Sequence, residues 1–144
     1  MQNEVYLMEL IIERAFMQTL QDTLGVLPMR IENKLLKGYL SKIDFAFNDG
    51  LIKTITFVSS KEFLEILGKS LLGDCKFNDM EFCDLSQELA NLTMGLAKVL
   101  AVKENVHFNI ATPQIFGFGE FQDAQYHCLS FALDGAFCSL FIHP

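Results

Sequence analysis

Two prolines and two Asp-Gly pairs recur along this chain at one fixed offset. Pro113 lies 85 positions after Pro28, and Asp134-Gly135 lies 85 after Asp49-Gly50. Each half reads helix, proline, strand, and then an Asp-Gly pair between two β-rich runs. Asp-Gly in that setting signals a hairpin, because a type I′ turn needs positive φ at both central residues. Two common turn signals can agree by chance. The matched order of elements points instead to an internal duplication. The expected fold is α/β, in the α+β two-layer sense. Pseudo-twofold duplicated helix–hairpin units place two long helices on one face of a mostly antiparallel sheet assembled from both halves.

Local signals place the elements. Residues about 4–24 carry Leu7, Leu10, Ile11, Phe16, Leu20 and Leu24 at helical spacing, and Gly25 and Pro28 stop the helix. Residues 29–36 read as a short strand. Ser59 and Glu62 have capping-box spacing, so a helix is expected there, ending at Gly68 or Gly73. Asn78 and Glu81 repeat that spacing ahead of a long helix that runs to about 103. The run QIFGFGEF suits an irregular or bulged strand. Residues 1–144 are read as one domain, with half-repeats about 4–58 and 79–143 and a linking helix about 60–73.

Composition narrows the function. The formal net charge is -7, which disfavours phosphate-rich nucleic acid. Glu4, Glu9, Glu13 and Arg14 interrupt the N-terminal apolar stretch, so no secretory signal is read. No apolar run reaches the ~18 residues of a membrane span. Four cysteines without a CxxC pair fit reduced thiols in a cytoplasmic protein. An apolar share of 51% leaves surface for a second subunit to cover, so a homodimer is expected.

The long helix DLSQELANLTMGLAK carries an unusual second stripe. Leu85, Leu89, Leu92, Leu96 and Val99 mark the expected core line. Beside it, Asp84, Glu88, Asn91 and Gly95 stand at i, i+4, i+7 and i+11 and share one face. Such residues are usually the solvated flank of an amphipathic helix. Here the choices are poor for a helix. Asp84 and Glu88 are like charges at i, i+4. Asn is a mediocre helix former, and Gly in a helix interior costs about 1 kcal/mol relative to Ala. That pattern suits a surface built for a partner. Gly95 admits a close approach, Glu88 can pair with a cation, and Asn91 can both donate to and accept from a water.

These residues resemble a known family. Asp84-x-x-x-Glu88-x-x-Asn91, followed by Pro113, is similar to the signature of the CheC/CheX/FliY phosphatases of bacterial chemotaxis. The likeness covers nearly the whole chain, including the LLGD end of the middle helix, the ELAN helix and the closing hairpin. Positions 85 before Glu88 and Asn91 hold Asn3 and Tyr6, so the first half lacks the pair, as in single-site CheX-like members. Two features depart from the pattern: Leu96 follows Gly95 where the family often has Asn, and 21 residues rather than about one more separate Asn91 from Pro113.

The resemblance implies a function. The substrate would be the phosphoaspartate of a CheY-like response regulator, whose own Mg²⁺ and lysine neutralise the phosphoryl oxygens. The chain would need no cofactor of its own. Asn91 would orient the attacking water, Glu88 would pair with the regulator's lysine, and Asp84 and Gly95 would contact the partner. The alternative is a non-catalytic protein of the same fold that docks a regulator or sits in the flagellar switch. A metal site from His107, His127, His143, Cys128 and Cys138 is disfavoured: a two-residue turn at Asp134-Gly135 would set Cys138 opposite Phe131 rather than Cys128.

Overall fold

The computed structural model describes residues 2–122 and 126–143, with the backbone alone for residues 2–5. The elements in order are α1 (Gln2–Leu24), β1 (Met29–Ile31), β2 (Lys37–Phe47), β3 (Ile52–Ser59), α2 (Lys61–Leu72) and α3 (Asp79–Val102). They continue with β4 (Phe108–Ile110), β5 (Gln114–Glu120), β6 (His127–Leu133) and β7 (Ala136–Ile142). The strands form one antiparallel sheet in the order β1-β6-β7-β3-β2-β4, with β5 also on β2.

The duplication is visible in the strand pairing. At the sheet centre β3 pairs with β7, and Thr56 lies opposite Phe141, 85 positions later. Each hairpin is then completed by the other half. The first-half strand β1 pairs with β6, and the second-half strands β4 and β5 pair with β2. Neither half closes its own sheet. The symmetry is approximate, because two strands share the outer edge of β2 where one strand covers β6.

Alternation along the strands sends one row toward the helices. Ile43, Phe45, Ile55, Phe57, Leu129, Phe131, Cys138 and Leu140 meet Ile12, Phe16, Leu20, Phe63, Leu67, Leu89 and Met94 in one buried cluster. The opposite sheet face is partly covered by chain. The Leu35 amide donates to Ser139 Oγ at 2.8 Å, and the Phe121 and Phe141 rings lie 4.5 Å apart. Val58 and Phe141 are fully buried there.

The two hairpins differ in turn chemistry. Asp134 and Gly135 both have positive φ, 49° and 77°, and Leu133 pairs with Ala136, as a two-residue type I′ turn requires. At the first hairpin only Gly50 is positive, at 91°. Its amide donates to the Phe47 carbonyl at 3.0 Å, and the Phe47 amide donates to the Leu51 carbonyl at 2.8 Å. This is a three-residue loop closed by glycine, not a type I′ turn; one extra loop residue relieves Asp49 of the left-handed conformation.

Other boundaries shift for identifiable reasons. The strand expected over 29–36 stops at Ile31, and the remainder crosses to the back of the sheet. The cap of α2 is Ser60, whose Oγ accepts from the Phe63 amide at 3.2 Å, and not Ser59. Ser59 is buried as the last residue of β3, opposite Cys138. Gly73 closes that helix, whereas Gly68 is buried within it against Phe77 and Leu85. The irregularity expected in β5 is a bulge: the β2–β5 register shifts between Leu40 and Ser41, beside Gly117 at φ 73°.

Tyr39 ties the sheet to the start of α3. Its hydroxyl donates to Asp79 Oδ1 at 2.7 Å, and its ring packs on Phe82 and Phe118. Burial first, then the bond to the Asp79 carboxylate, pushes the phenol up to about 12. The folded protein therefore holds the proton more tightly than the unfolded chain. That stabilisation is fully present below pH 10 and is lost as pH rises toward 12. Tyr39→Phe is expected to lower stability by about 1 kcal/mol at pH 7 and to flatten the fall in Tm between pH 10 and 12. Thermal melts across that range check both effects.

Candidate functional site

The long helix α3 is fixed at its start, along its inner face and near its end. Asn78 and Glu81 form the expected capping box: the Glu81 amide donates to Asn78 Oδ1 at 2.8 Å, and the Asn78 amide donates to Glu81 Oε1 at 3.0 Å. Ser41 Oγ donates to the Ser86 carbonyl at 3.1 Å. Near the other end Lys98 Nζ donates to Asn109 Oδ1 at 3.0 Å, which draws that lysine toward β4.

The buried residues of α3 are Phe82, Leu85, Ser86, Leu89, Ala90, Thr93, Met94, Ala97 and Ala101. This line is rotated from the expected one. Leu92 and Leu96 are only partly buried, and Val99 is 57% exposed. The reason is the packing surface. α3 lies over β2 and against α1, and small residues (Ser86, Ala90, Thr93, Ala97) let the backbone come close to the sheet. The leucine line then sits at the margin. The hydroxyls of Ser86 and Thr93 are buried there without a hydrogen-bond partner.

The rotation turns the polar stripe outward. Asp84 and Glu88 are exposed, and Asn91 and Gly95 are partly so. Glu88 and Asn91 make no side-chain hydrogen bond or ion pair with any described residue. Their i, i+3 spacing places both side chains on one face of a rigid helix. The four predicted residues therefore form one continuous surface line. A Cβ built on Gly95 would meet nothing within 4 Å, and its φ is not positive. Nothing inside the molecule requires glycine there.

The site is a convex helix face. Two clefts, of about 430 and 680 Å³, lie elsewhere. The first is bordered by Met8, Phe47, Lys53 and His107, the second by Lys61, Lys69 and Phe77, and neither includes a stripe residue. A protruding carboxylate and amide suit insertion into another molecule's cleft better than enclosure of a small substrate. The pseudo-twofold counterpart on α1 differs: Tyr6 stands 63% exposed where α3 has Asn91, and the Asn3 side chain lies outside the described residues.

Sequence comparison is silent here: no protein-family model matches the chain, and no curated relative is found. Structural comparison is not. The crystal structure of the chemotaxis protein CheX from Vibrio vulnificus superposes with a TM-score of 0.76 at 14% identity, covering 91% of each chain. The CheX has this fold. A second CheX, from Desulfovibrio desulfuricans, gives a TM-score of 0.74 at 17% identity, over 94% of this chain and 97% of that one. CheX of Borrelia burgdorferi, in a CheX-CheY-BeF3-Mg²⁺ complex, gives 0.66 at 17% identity, over 92% and 94%. The resemblance read from the sequence is thus met at the level of the CheX fold.

Other residues singled out in the sequence have definite places in the fold. Leu96 packs against the core, so its departure from the usual asparagine is directed inward. His127 lies 3.0 Å from Glu9, and Cys138 Sγ contacts Ser59 Oγ at 3.4 Å. Among the described residues no group of three metal-ligating side chains forms, and Cys138 does pair with Phe131. Among the described residues no helix is long and apolar enough to cross a membrane. The feature that sequence reasoning missed is the exposure of Val99 and Val102; the leucine spacing masked it.

Because Gly95 meets no internal demand, Gly95→Ala is expected to raise stability by about 1 kcal/mol. Chemical denaturation of the two proteins measures this directly, and a loss of stability would mean that the glycine has a structural role after all.

Proposed function

We propose that this chain dephosphorylates the phosphoaspartate of a CheY-like response regulator in bacterial chemotaxis. The observation that carries the reading is the Glu88–Asn91 pair, without a partner among the described residues and held outward on α3 beside an open glycine in a CheX fold. An acyl phosphate is already reactive, so the catalyst's main task is to place a water in line with phosphorus. Asn91 has the acceptor and donor needed to hold that water. Glu88, one helical turn away, is placed to meet the regulator's lysine and fix the approach. Asp84 adds negative charge on the same line, and Gly95 lets the regulator's backbone come close. Mg²⁺ would reside on the regulator; the Borrelia complex named above contains Mg²⁺ together with CheX and CheY.

The same reading places the protein in the cytoplasm, where such regulators act. It also includes a homodimer. The outer edge of β5 leaves Ile115, Phe116 and Phe118 exposed, an apolar edge of the kind that pairs with another strand. Light scattering is expected to give twice the mass of one 16.3 kDa chain.

Decay of acyl phosphate on a Mg²⁺-loaded, phosphorylated CheY-type regulator tests the chemistry. Asn91→Ala is expected to fold normally and to lose at least about ten-fold in rate at saturating protein, since it removes a group used in the transition state. Glu88→Ala is expected mainly to raise KM, by about ten-fold, through loss of a charge pair at the interface. Wild-type rates in both variants would contradict these roles. Binding without acceleration by the wild type would identify a docking protein instead.

A further inference from the structure

A Glu–Asn pair is too small to hold a protein partner. A stable interface covers about 800 Å² on each side, and two side chains supply a small part of that. The surface that continues the stripe therefore matters. Toward the start of α3 it is acidic, with Asp84 and Glu81. Toward the end it changes character. Beyond Asn91 the outward line runs Gly95, Val99 and Val102, at i+4, i+8 and i+11. Val99 and Val102 are 57% and 50% exposed. The one cation of this stretch, Lys98, is drawn aside to Asn109. From Glu88 to Val102 the line extends roughly 20 Å at helical rise, the scale of an interface side.

We infer that Gly95, Val99 and Val102 form an apolar docking ridge for the response regulator, continuous with the Glu88–Asn91 site. This rests on the function proposed above. Glu88 selects a cation at one end of the contact, and the valines seat an apolar patch beside the regulator's phosphorylation cleft at the other. Two β-branched residues on the exposed face are weak helix choices. Their placement next to a glycine without an internal role fits a surface shaped for contact. The low glycine gives the partner its closest approach, and the two valines provide the area that is desolvated. The ridge thus sets affinity, while Asn91 acts on the reacting water.

The test uses a CheY-type regulator loaded with Mg²⁺ and BeF3⁻ for binding, and the phosphorylated regulator for turnover. The Val99→Asp/Val102→Asp double variant is expected to weaken Kd and raise KM at least ten-fold. The maximal rate should stay within about two-fold of wild type, and Tm should fall by only a few degrees, the cost of two acidic residues in the last turn of a helix. The milder Val99→Ala/Val102→Ala pair should weaken Kd about three-fold without loss of helix content. Met29→Asp, at a more exposed apolar position on the far edge strand β1, should leave Kd as it is. Wild-type Kd in both double variants would overturn the ridge and leave the catalytic reading standing. Failure of the wild type to bind or act on the regulator would overturn both.

Discussion

Burial of the inner face of α3 is the constraint on which the rest depends. The helix must bring Phe82, Leu85, Leu89 and Met94 into the core shared with β2 and α1. Its alanines and hydroxyl residues let it settle close to the sheet. Once that face is fixed, the helix has no rotational freedom, and the opposite line must face solvent. Glu88 and Asn91 are presented by that geometry, with the capping box and the Tyr39–Asp79 bond fixing the start of the same helix.

The exchange of strands between halves gives this helix a stiff base. Because β1 completes the second hairpin and β4 and β5 complete the first, neither half can relax without disturbing the other. Breaking the symmetry also has a functional side. The α1 face shows Tyr6 where α3 has Asn91, so the two related helices offer different chemistry on one scaffold. In the function proposed above, the protruding amide and carboxylate work with a partner that brings its own cleft, metal and reactive group. An ordinary search for an enclosed active site would pass over such a surface, since the two described clefts lie elsewhere.

Much of the layout was legible in the chain because it is written in local chemistry. The Asn78–Glu81 box, the Asp134-Gly135 turn and the stop at Gly25 depend on neighbours a few residues away. Misreadings arose where tertiary contacts chose between local options. Ser59 has the side chain for a cap, but pairing with Cys138 keeps it in β3, and Ser60 takes the role. Asn48-Asp49-Gly50 can close a loop in two ways, and here the looser form is adopted. Leucine is the most obvious core residue, yet close approach to the sheet favoured the smaller side chains of α3.

The sequence by itself determined the repeated order of helix, strand and hairpin, the capped start of α3, and the alignment of Asp84, Glu88, Asn91 and Gly95 on one face. These follow from periodicity and turn chemistry, which act over a single helical turn or a single loop. Only the tertiary structure decided which face of α3 is buried, and with it that Glu88 and Asn91 stand without partners among the described residues, that Gly95 has open space above it, and that Val99 and Val102 continue the line in solvent. The orientation of a helix about its axis is set by the shape of the surface it packs on, and that surface is assembled from strands nearly a whole chain apart.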